Sequence, residues 1–133
     1  MIFSFSACEK QDSVIAVMDM DKVLKQSKYA VSLQNNLTEL GQGLEEKYNQ
    51  KKEELSGEKK QEELDKIYQQ FLQSKQSYEG KLNEEIKIEL EKLAKEMNFD
   101  IVLYKKEVHY GGKDITDDLI KRLDEKYDEG EEK

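Results

Sequence analysis

Apolar and polar positions alternate along this chain in two registers. Val14-Ile15-Ala16-Val17-Met18 is a short unbroken apolar run, too short for a free-standing helix, and it reads as a strand buried on both faces. Asp19 follows as a capping side chain, and Val23, Leu24 and Ser27 continue at helical spacing. Near the other end, Ile101-Val102-Leu103-Tyr104 predicts a second strand. Glu107-Val108-His109-Tyr110, stopped by Gly111-Gly112, predicts a third, the two forming a hairpin. Thr116 is the expected N-cap of a last helix, with Asp117 and Asp118 near its positive end and Leu119, Ile120, Leu123 and Tyr127 as its apolar face. Residues 128–133 read as a solvated acidic tail.

Between these pieces, apolar side chains recur every three or four residues. Leu33, Leu37, Leu40, Leu44 and Tyr48 form one set. Leu64, Ile67, Phe71, Tyr78, Leu82, Ile86, Leu90, Leu93 and Met97 form the other, with Ser56-Gly57 as the only breaker. If the segment folds back at Gly57, Leu33 faces Leu82, Leu37 faces Tyr78, Leu44 faces Phe71 and Tyr48 faces Ile67, one constant register for an antiparallel pair. The stripe is one or two residues wide per turn, a coiled-coil seam rather than a globular face. An arm from Leu33 to Leu55 would be roughly 35 Å long at 1.5 Å per residue. Gly41, Gly43 and Gly80 each cost a helix about 1 kcal/mol relative to alanine, and bending there is expected.

Composition agrees with long, thinly buried helices. Of 133 residues, 39% are charged and 36% hydrophobic, with no Pro and no Trp. Such a chain is either disordered or built from helices that bury a narrow stripe, and the periodicity selects the second. The net charge is −8, and Arg122 is the sole guanidinium among 22 basic residues. Phosphate neutralisation calls for clustered Lys and Arg, so a nucleic-acid partner is not expected. No apolar run approaches the roughly 18 residues that span a bilayer.

Catalytic chemistry finds no constellation. His109 is the only histidine and Cys8 the only cysteine, too few for a metal site of three or four ligands. The Glu45-Glu46 and Glu84-Glu85 pairs fall on solvated helix faces, and Gly111-Gly112 is a turn rather than a phosphate loop. We therefore expect a non-enzyme with no cofactor and no metal.

The terminal pieces must find each other across the helical insertion. About fifty residues of strands and short helices bury little core alone, so oligomerisation through the strands is expected, carried by Ile15, Val17, Ile101, Val102 and Leu103. At the start, Ser6-Ala7-Cys8 resembles the end of a bacterial lipobox, where small residues precede a lipidated cysteine. Two readings of residues 1–13 stay open: a signal remnant or lipid-anchor linker through Cys8, or a plain N-terminus with one free thiol.

Two blocks carry a family resemblance. The first is Val14-Ile15-Ala16-Val17-Met18-Asp19-Met20 followed by Val23-Leu24-Lys25-Gln26-Ser27. The second runs from Leu93-Ala94-Lys95-Glu96 through Asn98-Phe99-Asp100-Ile101-Val102-Leu103 and Val108-His109-Tyr110 to Asp114-Ile115-Thr116, Leu119-Ile120 and Leu123. With the helical insertion between them, residues 14–126 resemble the Skp/OmpH family of periplasmic chaperones. The resemblance implies an α+β, mostly α fold: a small β-barrel-like trimerisation body from the terminal strands (14–28 and 98–127) and a long antiparallel helical-hairpin arm (29–97). It implies an ATP-independent holdase of the diderm envelope that encloses unfolded outer-membrane proteins as a homotrimer. Candidate client contacts on the arm are Tyr48, Leu64, Tyr68, Phe71, Leu72 and Tyr78, of which Tyr68 and Leu72 lie off the seam. The acidic surface and short arms depart from the strongly basic members of that family. Two other classes remain: a lipid-anchored structural coiled coil without chaperone activity, and a prefoldin-like chaperone.

Overall fold

The computed structural model describes residues 13–131; Cys8 and the lipobox-like segment lie outside them. The chain is mostly helical, with a small sheet. Strand β1 (Ile15–Met18) leads through α1 (Met20–Gln26) into two long helices, α2 (Lys28–Glu54) and α3 (Gly57–Met97). Strand β2 (Ile101–Tyr104), a 3-10 turn at Lys105–Glu107, strand β3 (Lys113–Asp114) and α4 (Thr116–Glu131) follow.

Local signals set most of these boundaries. Asp19 caps α1, its carboxylate accepting from the Lys22 backbone N–H, and Ser27 caps α2 by accepting from Ala30 N–H. Leu55 and Ser56 separate the long helices, and Gly57 opens α3 with φ +66°, a left-handed backbone that costs glycine little. At the far end Asn98 turns left-handed, and Phe99 N–H returns to the Ala94 carbonyl at 2.9 Å, the usual way of closing a helix without glycine.

The sheet has the order β2-β1-β3, and both neighbours run parallel to β1. Ile15 pairs with Ile101 and Val17 with Leu103 on one side; Lys113 and Asp114 face Ala16 and Val17 on the other. Parallel neighbours need a crossover, and the three helices α1–α3 supply the one between β1 and β2. Asp100 clips the strands together: its N–H donates to the Val14 carbonyl while its carboxylate accepts from Val14 N–H.

The expected hairpin of Ile101–Tyr104 with a 107–110 strand does not form. Lys105–Glu107 is a 3-10 turn, and Val108-His109-Tyr110 carries no strand. The chain instead passes from one edge of β1 to the other, and the third strand is the polar pair Lys113-Asp114. Thr116 differs from expectation too. It lies in the first turn of α4, its N–H capped by Asp114 Oδ1 at 3.0 Å, and its hydroxyl accepts from Asp19 N–H. The segment expected as a tail from residue 128 is helical to Glu131, where α4 packs on the start of α2 through Lys28–Asp128 and an edge-on Tyr29–Tyr127 contact.

One face of the sheet meets the helices. Met18 and Val102 pack with Val23, Ile86, Leu93, Leu119 and Leu123; Ala16 packs with Phe99 and Ile115. This core sits at the root of the α2–α3 pair and joins it to the sheet.

Candidate functional site

The apolar stripes of α2 and α3 come together and line two clefts between the helices. A cleft of about 580 Å³ near the sheet end is lined by Leu33, Leu37, Gly41, Phe71, Tyr78 and Leu82. A smaller one of about 200 Å³ lies farther out, among Leu44, Tyr48, Ile67, Tyr68 and Phe71. They meet at Gly41, where a Cβ would lie 3.4 Å from Phe71 Cε2. Two helices cannot enclose a seam on all sides, so both clefts open outward.

The client candidates divide by burial. Leu64 is buried inside the helix pair, and Phe71 and Tyr78 are half-buried cleft walls. Tyr48, Tyr68 and Leu72 are exposed, Tyr68 most of all at 57%. Acidic and basic side chains are mixed around them, some in pairs: Lys75 with Glu79 at 3.8 Å, Glu63 with Lys66 at 2.7 Å and Lys51 with Glu54 at 3.6 Å. Pairs this exposed contribute little stability, but they leave the cleft margins without a dominant sign. Lys66's hydrogen bond holds the Glu63 carboxyl below its usual range.

The oligomerisation candidates divide as well. Residues paired in register share a face, which places Ile15, Val17, Ile101 and Leu103 on the side of the sheet away from the helices. Ile15, Ile101 and Leu103 are exposed. Val17 is buried by its own chain, its Cγ1 lying 2.6 Å from where Gly112 would carry a Cβ. Val102 points to the other face, into the core. An open apolar face is unusual for a parallel sheet, which is ordinarily covered on both sides.

Sequence reading missed the strap beside that face. Lys105, just past β2, reaches across to Asp114 at 2.7 Å. The Lys105 ammonium, together with the Thr116 hydroxyl and N–H, holds the Asp114 carboxyl down at about 2, below its ordinary 3.8. A folded value below the unfolded one means stability that is fully present above the ordinary carboxylate range and is lost as pH falls through about 2. Asp114→Asn is therefore expected to be less stable than the parent near neutrality. The gap should close between about pH 4 and about pH 2, read by urea unfolding at each pH; a constant gap would contradict this role. Of the charged pairs that join α4 to α3, Arg122–Glu96 and Lys126–Glu85 are surface links, whereas Arg122 also approaches the buried Glu89, which Lys92 holds from within α3.

Among the described residues, no group of three His, Cys, Asp or Glu side chains is arranged to hold a metal ion, and no helix is long and apolar enough to cross a membrane. The Asp114 shift is opposite to what a general base needs, since it makes the carboxylate a poorer proton acceptor.

No family model matches the sequence, and no curated protein matches it. Among solved structures, the chain is similar to a Caulobacter crescentus protein described as a candidate outer membrane chaperone (OmpH-like), at 13% identity and a TM-score of 0.48, over 86% of this chain and 85% of that one.

Proposed function

We propose that the protein is an ATP-independent holdase for unfolded outer-membrane proteins in the bacterial envelope. It would work as a homotrimer whose terminal strands form a β-barrel-like body and whose α2–α3 pairs are coiled-coil arms. The observation that carries this reading is the pair of apolar, aromatic-lined clefts that stay open along the helices. The two sequence blocks that resemble the Skp/OmpH family support it.

A holdase must accept many sequences and release them without fuel. Several shallow apolar contacts spread along flexible arms meet that requirement, because each is weak and multivalency supplies the affinity. Exposed Tyr48, Tyr68 and Leu72 offer contact area at the margins, with Phe71 and Tyr78 deeper in. Leu64 serves by holding the helices together. The mixed charges along the arm suit a surface that captures by apolar contact, so moderate salt should weaken client binding little.

Diluting a denatured outer-membrane β-barrel protein into the chaperone should suppress its light scattering with or without nucleotide. Removing residues 48–67 and inserting a short turn takes Tyr48 and Ile67 from the outer cleft and spares the body. That variant should remain assembled and lose part of the holding, the inner cleft being retained. Full activity after truncation would place the client elsewhere. Inactivity of the intact protein would favour a structural envelope coiled coil, anchored through Cys8.

A further inference from the structure

The two clefts between α2 and α3 share their middle: Gly41, Glu45 and Phe71 line both. They form one groove, continuous over a residue with no side chain. Its floor and its margin differ in kind. Leu33, Leu37 and Gly41 recur at every fourth residue of α2 and are half-buried. Gln34, Thr38 and Gln42 keep the same spacing one residue on, line the same cleft and are exposed. The Thr38 hydroxyl donates to the Gln34 carbonyl at 2.9 Å and can still accept a bond; each carboxamide offers donors and an acceptor. An apolar floor thus runs beside a row of neutral hydrogen-bonding groups. Charge stays at the rim, with Glu45 and the Lys75–Glu79 pair.

Four residues of helix rise about 6.0 Å, and two residues of extended chain about 6.7 Å. A segment stretched along α2 therefore brings every second side chain to one floor residue, drifting only about 0.7 Å per step. From Leu33 to Tyr48 the groove is roughly 22 Å long, room for about seven extended residues. We propose that the groove takes an extended, uncharged segment with apolar side chains at alternate positions, its backbone bonded to the Gln34, Thr38 and Gln42 row. That is the pattern of a membrane-spanning β-strand before it folds. The proposal rests on the reading of this helix pair as the client site and names the segment it selects. The neutral margin decides among occupants. A helix has its backbone already bonded and an acyl chain has no polar group along its length, so neither uses that row. A strand without its sheet has unpaired N–H and C=O groups. A charged side chain on the floor would lose its water without gaining a partner. Gly41 is the specificity-determining position: an apolar side chain seated over it reaches Phe71, and a Cβ at Gly41 would already lie 3.4 Å from that ring.

Fluorescence anisotropy with the full chain tests this, using two labelled, uncharged peptides of about nine residues and identical Leu, Tyr, Ser and Thr content. One alternates apolar and polar residues; the other gathers its apolar residues into one block. The parent should bind the alternating peptide about tenfold more tightly. Gly41→Leu, which fills the joint of the groove, should weaken that peptide about tenfold and erase the preference. Gly41→Met replaces it should leucine lower the helix signal. Gly43→Leu is the control: it makes the same change in α2 where a Cβ meets nothing within 4 Å, and should bind as the parent does. Equal binding of both peptides by the parent, binding of neither, or an unaffected Gly41→Leu would each overturn the proposal. A denatured outer-membrane protein held soluble in those same cases leaves the holdase reading standing. The reverse result, selective peptide binding without holding, removes that reading and keeps the groove. A fluorescent palmitate that the parent binds, Gly41→Leu releases and neither peptide displaces would assign the groove to acyl chains and sink the proposal.

Discussion

Replacing Gly112 with alanine is expected to lower the unfolding free energy by roughly 2–5 kcal/mol, the sum of left-handed strain and overpacking. Both penalties are local. The backbone there has φ +85°, and an ideal Cβ would sit 2.6 Å from Val17 Cγ1 and 3.6 Å from the Ile15 carbonyl oxygen. Val17 is buried on the central strand and cannot swing away without disturbing its pairing with Leu103 and Asp114. Two other glycines separate these causes. Gly111 has φ +89° but open space around it, so Gly111→Ala should show the strain alone, about 1–2 kcal/mol. Gly43 lies inside α2, also in open space, and Gly43→Ala should stabilise the helix by about 1 kcal/mol. Urea midpoints for the three variants, at unchanged slope, give the ranking. Equal effects at Gly111 and Gly112 would mean that the Val17 contact is relaxed away.

The parts of this fold that were legible are those written in side-chain type at fixed spacing. The apolar run from Val14 is a strand because nothing in it can be solvated cheaply. The long helices and their break at Ser56-Gly57 follow from the three-four rhythm, an absence of proline and one glycine that accepts φ +66°. The third strand was illegible because Lys113-Asp114 has no apolar signal. It pairs with β1 only because that edge is free once β2 takes the other, which is a tertiary fact. Thr116 resembles a helix cap in sequence, yet Asp114 two residues earlier takes that role, and the threonine hydroxyl is used by Asp19. The end of α4 looked like a solvated tail because its composition is acidic; Lys28 and Tyr29 give Asp128 and Tyr127 partners that sequence spacing does not reveal. In the helix pair, periodicity marked Leu64, Phe71 and Tyr78 alike, since burial within the seam and lining of an open cleft leave the same spacing. Only the geometry separates Leu64 from the other two.

The joint between the helix pair and the sheet should be most sensitive to the cations around Glu89. Its side chain is 5% exposed and lies on the stripe of α3 that carries buried Ile86 and Leu93, the stripe whose Ile86 and Leu93 cluster with Leu119 and Leu123 of α4. Lys92 Nζ donates to its carboxylate at 2.7 Å, and Arg122 of α4 approaches at 3.8 Å while also holding Glu96. A buried carboxylate is tolerable while such partners remain, and removing them strands a charge in apolar surroundings. Lys92→Met with Arg122→Met is expected to cost about 3–5 kcal/mol, and each single change clearly less, because the other cation still serves. Glu89→Met should be close to neutral or mildly stabilising, since it removes the ion and leaves both cations in contact with water. Adding Glu89→Met to the double variant should restore most of the lost stability. Thermal unfolding followed by helix signal distinguishes the cases. Should the double variant cost no more than the single ones, or Glu89→Met fail to rescue it, then Glu89 has other support, and Arg122 acts through Glu96 alone.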